Sequence, residues 1–305
     1  MSLQVTATPP TAVEMELHLW TCLTALKAVE EDETEALKVL KFPYVEFPIG
    51  KDQRVKDYFL FELSGIQLRY ETSPAAQLVF CDWDPIENSI MLRVPSMIQR
   101  VFADSICQFF TRRLQDVQRA YPDQTFLHNI TSVRNHAYVP CGTALYDSTT
   151  LFPDIAWYHD HKNTSTPSLV MEISDERKSS LMWDLADLYI ELGGVCFGVE
   201  FIINATTARR LAEVRAWEIV EQADGSRSMD LAWQVTFRED DGTVPERTIT
   251  LCADNLVSAN PPNAVLTGEG HAAAMMPMDI SSTFLAAALH RAEEFAAAHG
   301  HPKPM

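Results

Sequence analysis

The stretch from about residue 96 to residue 120 constrains this chain more than any other. Ile98, Val101, Phe102, Ile106, Phe109, Phe110, Leu114 and Val117 fall on one apolar stripe, while Gln99, Arg100, Asp104, Gln108, Arg112, Gln115 and Arg119 cover the opposite side. Pro95 stands where a helix start tolerates a residue without an N–H. The spacing predicts one long amphipathic helix.

The surrounding texture is that of strands. Tyr58–Leu63, Ile66–Glu71, Gln77–Cys81 and Ser89–Val94 are short, β-prone and separated by Ser-Gly, Ser-Pro or Asp-Pro signals, which reads as an antiparallel meander. Downstream, Phe126–Ile130 and Ala137–Val139 are weaker strand candidates, and Phe152–Tyr158 and Ser168–Ile173 are the strongest. A second helix is expected from about Lys178 to Leu192, with Leu181, Leu185, Leu188 and Leu192 on one side and Gly193-Gly194 ending it. Val195–Ile203 reads as a buried strand interrupted by Glu200. Ala212–Glu221 and Met229–Glu239 flank the turn signal Asp224-Gly225-Ser226 and read as a hairpin, with Arg247–Cys252 as a further strand.

The ends are simpler. Residues 1–12 are polar and rich in Pro and Thr, a disordered leader; residues 13–57 form an N-terminal extension, helical from Val13 to Leu40. Pro43 and Pro48 make the connection from Phe42 to Gly50 irregular, since each removes a donor and fixes its backbone. The expected order continues with a core over 58–203, a β-rich extension over 204–258, a linker over 259–280 opened by Asn260-Pro261-Pro262, and a C-terminal helix over 281–305.

Charge narrows the function. With 42 acidic against 24 basic residues the 305-residue chain carries −18, a field that repels polyanions wherever no local basic patch overrides it. Nucleic acid is thus disfavoured as a partner without being excluded. The six cysteines are scattered with no CxxC, which argues against a zinc cluster or a disulfide framework. No signal sequence or membrane-length apolar run is present, so an intracellular, soluble protein of cytoplasm or nucleus is expected, without a membrane partner.

The chemistry concentrates in two carboxylates. Asp154 follows Pro153 at the head of one strand candidate, and Glu172 lies near the end of another, after Leu169-Val170-Met171. Strand alternation puts Asp154 on one face with Ala156 and Tyr158, and Glu172 on one face with Val170 and Ser174. If the two strands are neighbours, both acids can approach one Mg²⁺ or Mn²⁺, an ion that suits hard oxygen ligands and bridges substrate phosphates.

Pro153-Asp154, followed by Pro167-Ser168-Leu169-Val170-Met171-Glu172-Ile173-Ser174, resembles the PD-(D/E)XK nuclease superfamily. More narrowly it resembles a branch of small bacterial proteins assigned as restriction endonucleases, with a PD…PxLVxEVxS signature. Leu188-Tyr189, Gly193-Gly194, Val199-Glu200-Phe201-Ile202 and the upstream Phe61-Glu62-Leu63-Ser64-Gly65-Ile66 are similar to further parts of that branch, so the resemblance spans roughly residues 58–203. It implies a restriction-endonuclease-like α/β (α+β) fold: a mixed β-sheet flanked by helices, here with an N-terminal helix, an extra β-hairpin and a C-terminal helix. It also implies metal ligation by Asp154 and Glu172.

The superfamily's lysine is missing from its strand position, which holds Ser174, and from the branch's helix position, which holds Leu185. Lys178 is the candidate for the lysine's catalytic role, with Arg177 and Lys162 as weaker substitutes. Duller readings stand beside these: Pro-Asp as an ordinary turn, Glu172 as an ion-pair partner of Lys178, and Tyr189 as a core aromatic. His159-Asp160-His161 reads as an exposed polar loop rather than a zinc site, and the arginines at 112, 113, 119, 209, 210 and 215 read as balancing nearby acids or contacting phosphates. Two functions follow: a Mg²⁺-dependent nuclease, or a catalytically retired nuclease fold that serves as a protein-interaction or homodimerisation module.

Overall fold

The structure is a computed structural model that describes residues 44–48, 80–84, 89–93, 95–134, 153–159, 166–174, 195, 197–204, 210–221, 227–257 and 268–299. The chain divides into two compact units, Met1–Pro95 with Ser148–Thr150, and Ser96–Asp147 with Leu151–Met305.

In the first unit, β1 (Tyr44–Pro48), β2 (Phe80–Asp84) and β3 (Ser89–Arg93) form an antiparallel sheet in the order β1-β3-β2. β1 corrects the expectation of an irregular connection at 42–50. Its one proline, Pro48, is tolerable because it is the last residue of β1 and β1 lies on the sheet's edge, where a missing N–H does little harm. The expected N-terminal helix, and the strands expected over 58–63 and 66–71, lie outside the described residues.

The second unit is mixed α+β. A six-stranded mixed sheet runs β4 (Ile130–Arg134), β5 (Ile155–His159), β6 (Leu169–Ser174), β7 (Phe197–Ile203), β8 (Ala212–Glu221) and β9 (Arg227–Arg238), paired in that order. β6 and β7 pair in parallel and the other neighbours antiparallel. Among its described residues the unit also holds helices α1 (Met97–Ala120), α2 (Thr125–His128), α3 (Gly268–Ala274) and α4 (Ser282–Ala298) and a small antiparallel pair, β10 (Thr248–Cys252) and β11 (Pro277–Ser281).

Two sequence expectations change here. Phe126–Ile130 is not a strand: Phe126 and Leu127 are buried in the short α2, and the strand begins at Ile130. The stretch expected to link the core to the last helix holds α3 and β11. In β11, Met278 and Ile280 point inward opposite Leu251 and Ile249 of β10, a half-buried alternation only four or five residues long. The hairpin of β8 and β9, α1 and α4 form where their patterns place them, while the helix expected over 178–192 and the strand expected over 137–139 lie outside the described residues.

The sheet has two unlike faces. One carries Ile155, Trp157, Leu169, Met171, Ile173, Phe197, Val199, Phe201, Ile203, Ala212, Val214, Ala216 and Phe237, and these join the apolar stripe of α1 and the inner side of α4 in one core. Phe102 of α1 sits edge-on to Phe201 at 5.6 Å and parallel to Phe237 at 6.2 Å, while Phe109 meets Phe284 of α4 at 4.6 Å. Ala286, Ala288, Ala292 and Ala296 keep the inner side of α4 low, so it lies close against its neighbours. The other face is where charge collects.

Candidate functional site

The strand registers assemble the site. Glu172 of β6 is opposite Glu200 of β7, and Glu200 is opposite Arg215 of β8, which is opposite Gln234 of β9. Ile155 opposite Met171 is the last pair of the β5–β6 ladder, and Asp154, the residue just before β5, bonds across to β6 at Ile173, the neighbour of Glu172. Opposed residues share a face. A single row therefore crosses four strands, Glu172, Glu200, Arg215 and Gln234, and Asp154 adjoins its β6 end from just before β5. A second row beside it holds Ser174, Ile202, Glu213 and Thr236.

All three acids are buried, Asp154 at 5%, Glu172 at 3% and Glu200 at 2% exposure. Burial of charge on this scale demands partners. Asp154 Oδ2 accepts the backbone N–H of Ile173 at 2.7 Å, which fixes its carboxylate across the strand that bears Glu172. On the far side of Ile173, the Gln99 side chain donates to the Ile173 carbonyl at 3.0 Å. The same amide accepts the Ser96 N–H at 2.7 Å in the capping box that starts α1. The first turn of the long helix and the metal-ligand candidates thus grip one residue of β6.

Ser174, at the lysine position of the sequence pattern, donates to Glu200 Oε1 at 2.6 Å. Glu200 Oε2 is buried with no hydrogen-bond donor among the described residues. Desolvation pushes the Glu200 carboxyl up to about 7; Ser174 and Arg215 oppose the rise, and Glu172 and Glu213 add to it. Burial likewise pushes Tyr158, on the same face as Asp154, up to about 12. Arg134, which pairs with Asp104 of α1, is held below the ordinary guanidinium range by desolvation, against the attraction of Asp154.

The sequence-predicted residues divide as follows. Asp154, just before β5, bonds to β6 beside Glu172, whereas Lys178, Arg177, Lys162 and Tyr189 lie outside the described residues. His159 is buried at the end of β5, opposite Ile130, and so is not part of an exposed loop; Asp160 and His161 are outside the described residues. Arg113 and Arg119 both pair with Asp116 on the exposed side of α1, which is the charge-balancing role. In the sequence Glu200 is an interruption of an apolar run and one residue of the Val199-Glu200-Phe201-Ile202 resemblance, with no site role. An acid at that place in a strand was a signal, but its meaning depends on β7 lying parallel and in register beside β6.

The donor set fits one mode of metal binding. Mg²⁺ is commonly held by one or two carboxylates, with water and substrate phosphate filling the other positions, and Asp154 with Glu172 offers such a pair. Among the described residues no group of three or more His, Cys, Asp or Glu side chains is arranged to hold a metal, so an all-protein cage is not what this site offers. No helix among the described residues is long and apolar enough to cross a membrane.

No protein-family model matches the sequence, and no curated protein does. Among solved structures, one from Anabaena variabilis, described as "a putative nuclease belonging to DUF820", aligns over 68% of this chain and 90% of its own, at 12% identity and a TM-score of 0.36. At that distance the site is read from its own side chains.

Proposed function

We propose that this is a nuclease-like protein of the PD-(D/E)XK kind, in which Asp154 and Glu172 bind Mg²⁺ or Mn²⁺ for hydrolysis of nucleic-acid phosphodiesters. One observation supports the reading: Asp154, just before β5, bonds to the backbone of β6 beside Glu172, and both acids are buried. The Ile173 N–H holds the Asp154 carboxylate in place before any cation arrives, so little ordering cost remains. A cation bound there would supply an acidic, metal-bound water as nucleophile. Desolvation of the pair keeps competing water away and strengthens its pull on a cation.

Asp154→Asn preserves the shape and an acceptor for the Ile173 N–H while removing the charge. The expected result is at least a tenfold weaker Mn²⁺ affinity by calorimetry, together with loss of metal-dependent DNA cleavage. Cleavage by this variant at the wild-type rate would sink the assignment.

A second reading, a retired nuclease fold used for protein interaction or homodimerisation, is favoured by one observation. The Ser174 hydroxyl that stands in the lysine position is committed to Glu200. Mn²⁺ binding without turnover on any duplex or single strand would select it, whereas turnover would exclude it.

A further inference from the structure

We infer that Arg215 is the phosphate-contacting cation of this site, reaching it from the β8 side of the acid row. The inference rests on the nuclease reading for its substrate class and on the sheet register for its geometry. Arg215 shares a face with Glu172 and Glu200 and stands two strands from Glu172, a spacing of about 10 Å between their backbones. Its side chain is one-fifth exposed, whereas the acids beside it are almost fully buried.

A structural arginine on a sheet face is normally consumed by its neighbours, because its fork of five N–H donors needs acceptors. Arg215 is under-used. Among the described residues its guanidinium makes one hydrogen bond, from Nη2 to Glu213 Oε2 at a long 3.4 Å, and its buried Nε has no acceptor. Glu213 is itself shared, its Oε1 accepting from Gln234 at 2.9 Å and from Thr236 at 3.3 Å. On the other side, Glu200 Oε1 is taken by Ser174. The row therefore runs from three carboxylates, Asp154, Glu172 and Glu200, to an incompletely satisfied guanidinium, with Gln234 beyond it. That order would suit a phosphodiester: Asp154 and Glu172 would hold a divalent cation that neutralises their charge toward phosphate, and the planar fork of Arg215 would match phosphate oxygens. A cation from β8 would also answer the absence of lysine at Ser174.

The test is the affinity of the full-length chain for a labelled duplex oligodeoxynucleotide across a salt series, with Mn²⁺ affinity measured separately by electron paramagnetic resonance. Arg215→Gln is expected to weaken oligonucleotide binding about tenfold and to lower the slope of log K against log salt by about one, as loss of one phosphate contact requires. It should leave Mn²⁺ affinity unchanged. Arg215→Lys is expected to keep the slope with severalfold weaker binding, and it carries the test should the Gln variant fail to fold.

Wild-type affinity and slope in Arg215→Gln, wild-type affinity in Arg215→Lys, or no oligonucleotide binding by the wild-type chain would each overturn the assignment. A wild-type chain that binds the oligonucleotide through Arg215 but binds no Mn²⁺ would uphold Arg215 and remove the metal reading instead.

Discussion

Glu200 is an acid in the middle of a central strand, and its environment gives it a measurable signature. Its carboxyl is pushed from an ordinary value near 4.5 up to about 7, chiefly by desolvation. The folded state therefore holds a proton that the unfolded state has released. Between those two values stability falls as pH rises, and above about 7 the loss is complete, reaching roughly 3 kcal/mol for a shift of this size. Glu200→Gln, which is neutral at every pH, should flatten that slope and be the more stable protein at pH 8 by about that margin. Urea unfolding of both proteins at pH 5 and pH 8 decides it, and parallel pH profiles would refute the assignment. At the same scale, Ser174 exchanges a missing cation for a hydroxyl that satisfies a buried acid.

Among the elements, α1 is tied to β6 by more than apolar contact. Gln99 closes the capping box at the helix start and donates to the Ile173 carbonyl from the same amide. Ser96→Ala should cost about 1 kcal/mol, the ordinary value of a cap. Gln99→Met should cost more, about 2–3 kcal/mol, because it also leaves a buried carbonyl without its donor. Equal losses for the two variants, in chemical denaturation, would mean that the link to Ile173 contributes nothing.

The elements also explain what could be read in advance. The α1 stripe and the apolar runs of β5, β6 and β7 were legible because a long period or a continuous run is a strong local signal. β1, α3 and β11 were not: each is short, and what stabilises β1 and β11 is a partner strand distant in sequence. Asp154, Glu172 and Arg215 can be singled out in the sequence, whereas the sharing of one row by Glu172, Glu200 and Arg215 appears only once β7 and β8 take their registers.

For the molecule as a whole, long-range electrostatics works against compactness. A net charge of −18 on 305 residues repels itself, and salt that shortens the screening length from about 30 Å to about 8 Å should raise the unfolding midpoint. A midpoint that falls as NaCl rises from 10 to 150 mM would show instead that local ion pairs dominate. One such pair closes the core: Arg238 of β9 binds Glu293 of α4 at 2.7 Å and donates to the Arg210 carbonyl at 2.6 Å. Arg238→Met is expected to cost about 2–4 kcal/mol by leaving Glu293 without its partner, and adding Glu293→Leu should recover much of that loss. A double-mutant cycle with no coupling would contradict this.

The amide of Ile173 gives its proton to a carboxylate. Whatever engages Asp154 must strengthen, weaken or displace that bond. One nitrogen resonance is therefore a gauge of the site: its shift and its exchange with deuterium should respond to a ligand before any turnover is detectable, and remain still if the site is inert.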